Sequence, residues 1–203
     1  MANDSSKILP KEALDVAIDA VSEILGEAGV NSVVKHANLD YLLVNGKVVD
    51  GQKPTFGDVG QVTEAFFDIY GKRGATAILK RTGRVQFQKW NEAYPTALSA
   101  AGLALKAMAP AARIKTTLNV VKLAAKHIVH VESEVKEDQD KIYFAAFQCP
   151  YCAGVHADQS YCLTAVGAIE AVTKWATGDI WNVKEISCLA MGNKACVFEI
   201  SPT

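Results

Sequence analysis

Apolar positions follow a helical rhythm as far as Ala125 and a strand-like rhythm after Ile128. Pro10 suits the first turn of a helix. Ala13, Val16, Ala17, Ala20, Val21, Ile24 and Leu25 then recur at helical spacing and define one apolar face. Gly26 and Gly29 are expected to end that helix. Tyr41, Leu42, Leu43 and Val44, followed by Asn45-Gly46, predict a short strand or hairpin within 32–49. Residues 51–57, with Pro54, read as a loop. A helix over 58–70 presents Val62, Phe66, Phe67, Ile69 and Tyr70. Gly71, Gly74 and Gly83 predict tight turns interrupting the helical segment that follows. Residues 85–108 suit helices with a break at Pro95, and Pro110 opens another helix through Ile114, Leu118 and Val121.

The last third changes character. Residues 128–131 and 142–147 read as strands on either side of a charged turn over 136–141. Residues 148–159 form a loop. Leu163, Val166, Ile169, Val172 and Trp175 mark a helix over 160–177 that Gly178 terminates. Residues 180–189 and 195–200 read as a hairpin around Gly192-Asn193. The pattern predicts an α+β fold, with N-terminal helices packed on a C-terminal antiparallel sheet that has one helix inserted. The polar residues 1–8 are expected to be a flexible tail before a single domain over 9–203.

Half of the residues are hydrophobic and the formal net charge is −1, so bulk charge supplies no affinity for nucleic acid. No apolar run reaches the roughly 18–20 residues that span a bilayer, and no export signal is visible at the N-terminus. A cytoplasmic location is the expectation, and thiols there stay reduced. Against that background the cysteines stand out. All five fall between Cys149 and Cys196, a clustering that favours a metal site or a redox pair over a disulfide framework.

Three readings of the cluster compete. Cys162, Cys188 and Cys196 bind zinc with a carboxylate as fourth ligand. Alternatively, Cys149 and Cys152 supply two ligands and the hairpin pair Cys188 and Cys196 supplies two. In the third reading Cys149 and Cys152 are a redox dithiol and the remaining cysteines are buried small hydrophobes. His156, four residues after Cys152, is a further alternate ligand. A tight hairpin loop would set Cys188 opposite Cys196, with Cβ atoms about 4.5–5.5 Å apart, and zinc takes four such ligands tetrahedrally.

The stretch Glu185-x2-Cys188-x-Ala190-x-Gly192-x3-Cys196-x-Phe198 resembles the C-terminal signature of the 4-vinyl reductase domain. Tyr70-Gly71-x-Arg73-Gly74 and Arg81-x-Gly83-Arg84-x2-Phe87 resemble its N-terminal half more weakly. The resemblance implies a fold shared with ligand-binding TRAPP-type subunits and with the sensor domains of phenol-responsive bacterial regulators. It also implies a homodimer enclosing a small apolar or aromatic molecule. In the phenol sensors three cysteines and a glutamate hold zinc. Carried over, those ligands fall on Cys162, Glu185, Cys188 and Cys196, in a zinc-bearing lobe over 140–203. Glu185 and Cys188 are three apart, so a regular strand would point them to opposite faces. A bulge or strand end near Ile186 is required if both bind one ion.

A ligand cavity would be walled by Phe66, Tyr70, Phe87, Trp90, Tyr94, Trp175 and Trp181. His127 and His130, or Arg73, Arg81 and Arg84, are further polar contacts. No nucleophile motif, phosphate loop or dinucleotide fingerprint is present. The leading expectation is a small-molecule-binding protein with a structural zinc. The alternatives are an enzyme or carrier in tetrapyrrole (bacteriochlorophyll-type) metabolism and a thiol redox or interaction module using Cys149 and Cys152.

Overall fold

A computed structural model describes residues 3–44, 46–93 and 105–203. Tyr94 and the expected break at Pro95 lie outside the described residues. Helix α1 runs Lys11–His36 and α2 runs Phe56–Ala93, with β1 (Leu43–Val44) and β2 (Lys47–Val48) as a small antiparallel hairpin between them. Helix α3 is Pro110–Ile128. Strands β3 (Ser133–Asp138) and β4 (Lys141–Ala146), helix α4 (Leu163–Thr177), and strands β5 (Trp181–Ser187) and β6 (Cys196–Pro202) complete the chain. The four long strands pair antiparallel in the order β3-β4-β6-β5. The architecture is the α+β arrangement that the hydrophobic pattern predicts.

Three boundaries differ from the pattern. Gly26 does not end α1. It adopts φ 70°, ψ 172° and kinks the helix, which resumes through Val30, Val33 and Val34. Gly71 does the same in α2, at φ 62°, ψ 172°. Positive φ costs glycine little, so the chain can bend there and return to helical geometry. Residues 128–131 are not a strand: α3 continues to Ile128, and the charged residues placed in a turn instead form β3, with the turn at Gln139-Asp140. Strand β3 is an edge strand with several exposed residues, which a charged sequence tolerates well.

The first residues are tied down. Leu9 N–H donates to the Pro54 carbonyl, Phe56 N–H to Lys7 and Gly57 N–H to Ser5. The Asn3 side chain reaches the loop after β4. At the start of α2, Thr55 and Asp58 bond reciprocally, Thr55 N–H to Oδ2 at 2.7 Å and Asp58 N–H to Oγ1 at 3.3 Å. That exchange satisfies two N–H groups near the helix start.

Two cores result. One lies between the inner face of the sheet and helices α3 and α4, around Ile114, Leu118, Phe198 and Ile200. The other lies between α1, α2 and the small hairpin, around Val33, Leu42, Phe66 and Leu79. Helices α2 and α4 join the two at very short range. A Cβ on Gly83 would lie 1.9 Å from the Thr164 carbonyl oxygen, and one on Gly167 would lie 2.0 Å from that of Lys80. Lys80 and Arg84 pair with Glu170 across the same interface, at 2.8 and 2.6 Å.

Candidate metal centre and adjoining cavity

Strand alternation puts Ile142, Phe144 and Ala146 of β4 and Cys196, Phe198 and Ile200 of β6 on the inner face of the sheet. Cys196 pairs with Ala146 at the end of the ladder. Glu185 pairs with Phe198 and is buried on the same face, at 4% exposure. The β5–β6 register then slips between Glu185 and Ser187. The extra residue, Ile186, reverses the alternation, and Cys188 also becomes fully buried. Continuing the Ser187–Val197 register by one residue brings Cys188 opposite Cys196, and their sulfurs lie 3.9 Å apart.

Cys162 sits immediately before α4, fully buried. Glu185 holds that point of the chain: its Oε2 accepts the N–H groups of Tyr161 and Cys162, both at 2.9 Å. The other carboxylate oxygen, Oε1, is buried and has no hydrogen-bond partner. Burial pushes the Glu185 pKa up. An orphaned carboxylate oxygen beside thiols is a group awaiting a cation or a proton.

Cys149 and Cys152 join the same cluster. They flank a short 3-10 turn that packs on α2, where a Cβ on Gly60 would lie 2.1 Å from the Ala153 carbonyl oxygen. The Asn3 carboxamide accepts the Cys149 N–H at 3.0 Å, and its Nδ2 donates to the Cys149 carbonyl at 2.9 Å and to Cys152 Sγ at 3.5 Å. Sulfur–sulfur distances are 3.4 Å for Cys149–Cys162 and 3.6 Å for both Cys152–Cys196 and Cys162–Cys196. Cys162–Cys188 is 3.8 Å. All five cysteines are free thiols. A zinc–sulfur bond of about 2.3 Å in tetrahedral geometry sets neighbouring sulfurs about 3.8 Å apart, so the cluster already has the spacing of a metal shell.

Two foursomes have all ligand atoms within 4.8 Å of one another: Cys162, Glu185, Cys188 and Cys196, and Cys149, Cys152, Cys162 and Cys196. The second replaces the expected set of Cys149 and Cys152 with Cys188 and Cys196. Cys162 takes the place of Cys188 because the start of α4 lies between the two loops. His156 is exposed and belongs to neither group, since the chain turns at Gly154 (φ 77°). Contact with the Cys149 thiol, followed by those of Cys162 and Cys188, draws the Cys196 pKa down to about 6. The Leu189 N–H also donates to this sulfur, at 3.4 Å.

The second core encloses a cavity of about 80 Å³. Its walls include Ile18, Val33 and Leu42 on one side and Val62, Phe66 and Leu79 of α2 on the other. Thr63 and Thr82 turn their hydroxyls back to carbonyls of α2, at 2.9 and 3.0 Å. Tyr151 and Thr164 close the end nearest the thiols. Tyr151, between Cys149 and Cys152, donates its hydroxyl to Gln86 Oε1 at 2.9 Å.

Of the aromatic residues expected around a ligand, Phe66 lines this cavity. Tyr70 packs on Phe66 with ring centres 6.0 Å apart. Phe87 and Trp175 meet edge to face in the other core, and Trp181 packs there too. Trp90 is half-buried near the end of α2. His127, His130, Arg73 and Arg81 are exposed, and Arg84 is engaged by Glu170. The walls are aliphatic, and much of them comes from Val30, Val33 and Val34. Their helical spacing beyond Gly26 was the available signal.

The fold and site together define a small α+β protein whose sheet face and inserted helix bury a thiol–carboxylate cluster. Residues 142–202, which include all six of the cluster's groups, match the family model of the 4-vinyl reductase domain, and this segment belongs to that family. Solved structures resemble nearly the whole chain. An H-NOX protein from S. oneidensis in the Fe(II)NO ligation state is 9% identical, with a TM-score of 0.58 over 93% of this chain and 98% of that one. An Fe(II) unliganded H-NOX mutant from K. algicida is 13% identical, with a TM-score of 0.58 over 94% and 95% of the two chains. An oxygen-binding H-NOX domain related to soluble guanylate cyclases is 13% identical, with a TM-score of 0.57 over 94% and 90%. At such identities the likeness is one of fold. No curated protein sequence matches. No helix among the described residues is long and apolar enough to cross a membrane.

Proposed function

We propose that the protein binds a small apolar or aromatic molecule between α1 and α2, and that a structural zinc ion held by Cys162, Glu185, Cys188 and Cys196 braces the end of that cavity. One observation carries the reading: the thiol cluster and the cavity share a wall. Thr164 lies two residues after Cys162, Tyr151 lies between Cys149 and Cys152, and both line the cavity. With four protein ligands the zinc site is closed, so its role is to fix geometry and not to activate water. Within that frame Glu185 orients the start of α4 through its two backbone bonds, and the aliphatic walls exclude water from the ligand.

The cavity limits the size of its guest. About 10–15 Å³ of this kind of space holds one water, so 80 Å³ accepts roughly half a dozen heavy atoms, about one ring. The H-NOX likeness raises the question of haem. Among the described lining residues none is a histidine, cysteine or methionine, the usual nitrogen and sulfur ligands of haem iron. The Tyr151 hydroxyl is committed to Gln86, and burial pushes its pKa up. The volume is also well below the roughly 300–1,000 Å³ of ordinary cofactor pockets. Haem does not fit this cavity. Full burial of Cys149 and Cys152 likewise favours a ligand role over exposed redox chemistry.

Native mass spectrometry of the mildly purified full chain tests metal, carried-over molecule and homodimer together. In parallel, amide NMR titration with benzene, toluene and phenol should give saturable shifts at Val33, Phe66 and Thr164. Absence of saturable shifts with all three would overturn the binding proposal.

A further inference from the structure

From the overlap of the two foursomes we infer that the cluster is a binuclear centre, with two divalent d10 ions bridged by the Cys162 and Cys196 thiolates. This deepens the structural-zinc reading above and rests on it. Cys149 and Cys152 complete the shell of one ion, and Glu185 and Cys188 complete that of the other.

Three observations carry the assignment. The foursomes share two members, Cys162 and Cys196, whose sulfurs are 3.6 Å apart. They therefore have the topology of two tetrahedra joined along one edge, and a thiolate sulfur has lone pairs enough to bind two ions. Each outlying pair also sits at bonding-shell distance from that edge: Cys149 lies 3.4 Å from Cys162, Cys152 3.6 Å from Cys196, and Cys188 3.8 and 3.9 Å from the two. A single ion would explain only one side of this spacing. Finally, both sides carry supporting donors. The Asn3 carboxamide donates to Cys152 Sγ, the Leu189 N–H donates to Cys196 Sγ, and Glu185 is fixed through Oε2 with Oε1 left unpartnered. Such outer bonds orient metal ligands.

Charge agrees. Five thiolates and one carboxylate carry six negative charges. Two divalent ions leave a net −2, whereas one leaves −4 unless the surplus groups take protons. In a fully buried site the smaller imbalance is strongly preferred. No electron transfer is involved, because binding exchanges thiol protons for metal ions and the protons pass to solvent.

Titration of the reduced, metal-free full chain with 113Cd2+, followed by native mass spectrometry and 113Cd NMR, tests this. Two ions per chain are expected, with one resonance typical of four sulfurs and one of three sulfurs and an oxygen, coupled to each other through the shared sulfurs. Zinc content of the protein as purified should also be two per chain. Cys149→Ser and Glu185→Gln should each reduce the count from two to one, and the wild-type spectrum stands as evidence even where a variant fails to fold. A single ion in the wild type, or two uncoupled resonances, overturns the binuclear centre while leaving the zinc brace intact. No ion at all overturns both.

Discussion

Glu185 and Cys162 are joined by a 2.9 Å hydrogen bond from the Cys162 N–H to the carboxylate, so the acid positions the very residue with which it shares the cluster. One oxygen of Glu185 organises backbone, and the other is left for the cation.

Glu185→Gln keeps the shape and an acceptor for the Tyr161 and Cys162 N–H groups but removes the charge. Metal affinity should fall by more than about tenfold, since even outer-shell changes cost 10–100-fold. Competition with a chromophoric chelator measures it. Unchanged affinity would remove Glu185 from the ligand set.

Acidification should release the metal. Mutual contacts, that of Cys149 foremost, raise the Cys162 pKa, and contact with Cys149 likewise raises that of Cys152. In the metal-free chain these thiols therefore hold their protons at neutral pH, and metal binding must displace them. Affinity should rise with pH and fall as pH drops. Isothermal calorimetry in buffers of different ionisation enthalpy would count the protons released, and a count of zero would contradict the thiolate site.

Gly83→Ala should destabilise the protein by about 1–3 kcal/mol or more, the usual cost of overpacking a filled interface. Its Cβ has a backbone carbonyl 1.9 Å away and no flexible side chain to displace. Chemical denaturation monitored by circular dichroism gives the number. Neutral behaviour would mean that α2 and α4 are not packed this closely.

Tyr151→Phe leaves the Gln86 Oε1 acceptor without its 2.9 Å donor. A buried unpaired acceptor costs roughly 1–3 kcal/mol. Stability should fall by that amount with metal content unchanged, and the NMR response to benzene should change. Loss of metal in this variant would show instead that the phenol supports the cluster directly.

Much of the fold was legible because its elements obey local rules. Gly178 ends α4 in the left-handed conformation, and Asn45-Gly46 lies between the arms of a hairpin. The bulge near Ile186 was legible too, from the parity conflict between Glu185 and Cys188. What escaped was non-local. A glycine that kinks a helix and one that ends it look alike in sequence, so Gly26 concealed the valines that wall the cavity. The entry of Cys149 and Cys152 into the cluster depends on Gly60 admitting a backbone carbonyl and on Asn3, 146 residues upstream of Cys149. No periodicity encodes such contacts.

The Tyr151–Gln86 bond makes the cavity and the thiol cluster neighbours in a thermodynamic sense. Any amount by which a filled cluster strengthens binding in the cavity is the amount by which a guest in the cavity strengthens retention of metal, because coupling free energies are reciprocal. A protein built this way can report on a small molecule through how firmly it keeps its ions, or on metal supply through how well it holds the molecule, with the same hydrogen bond serving both directions.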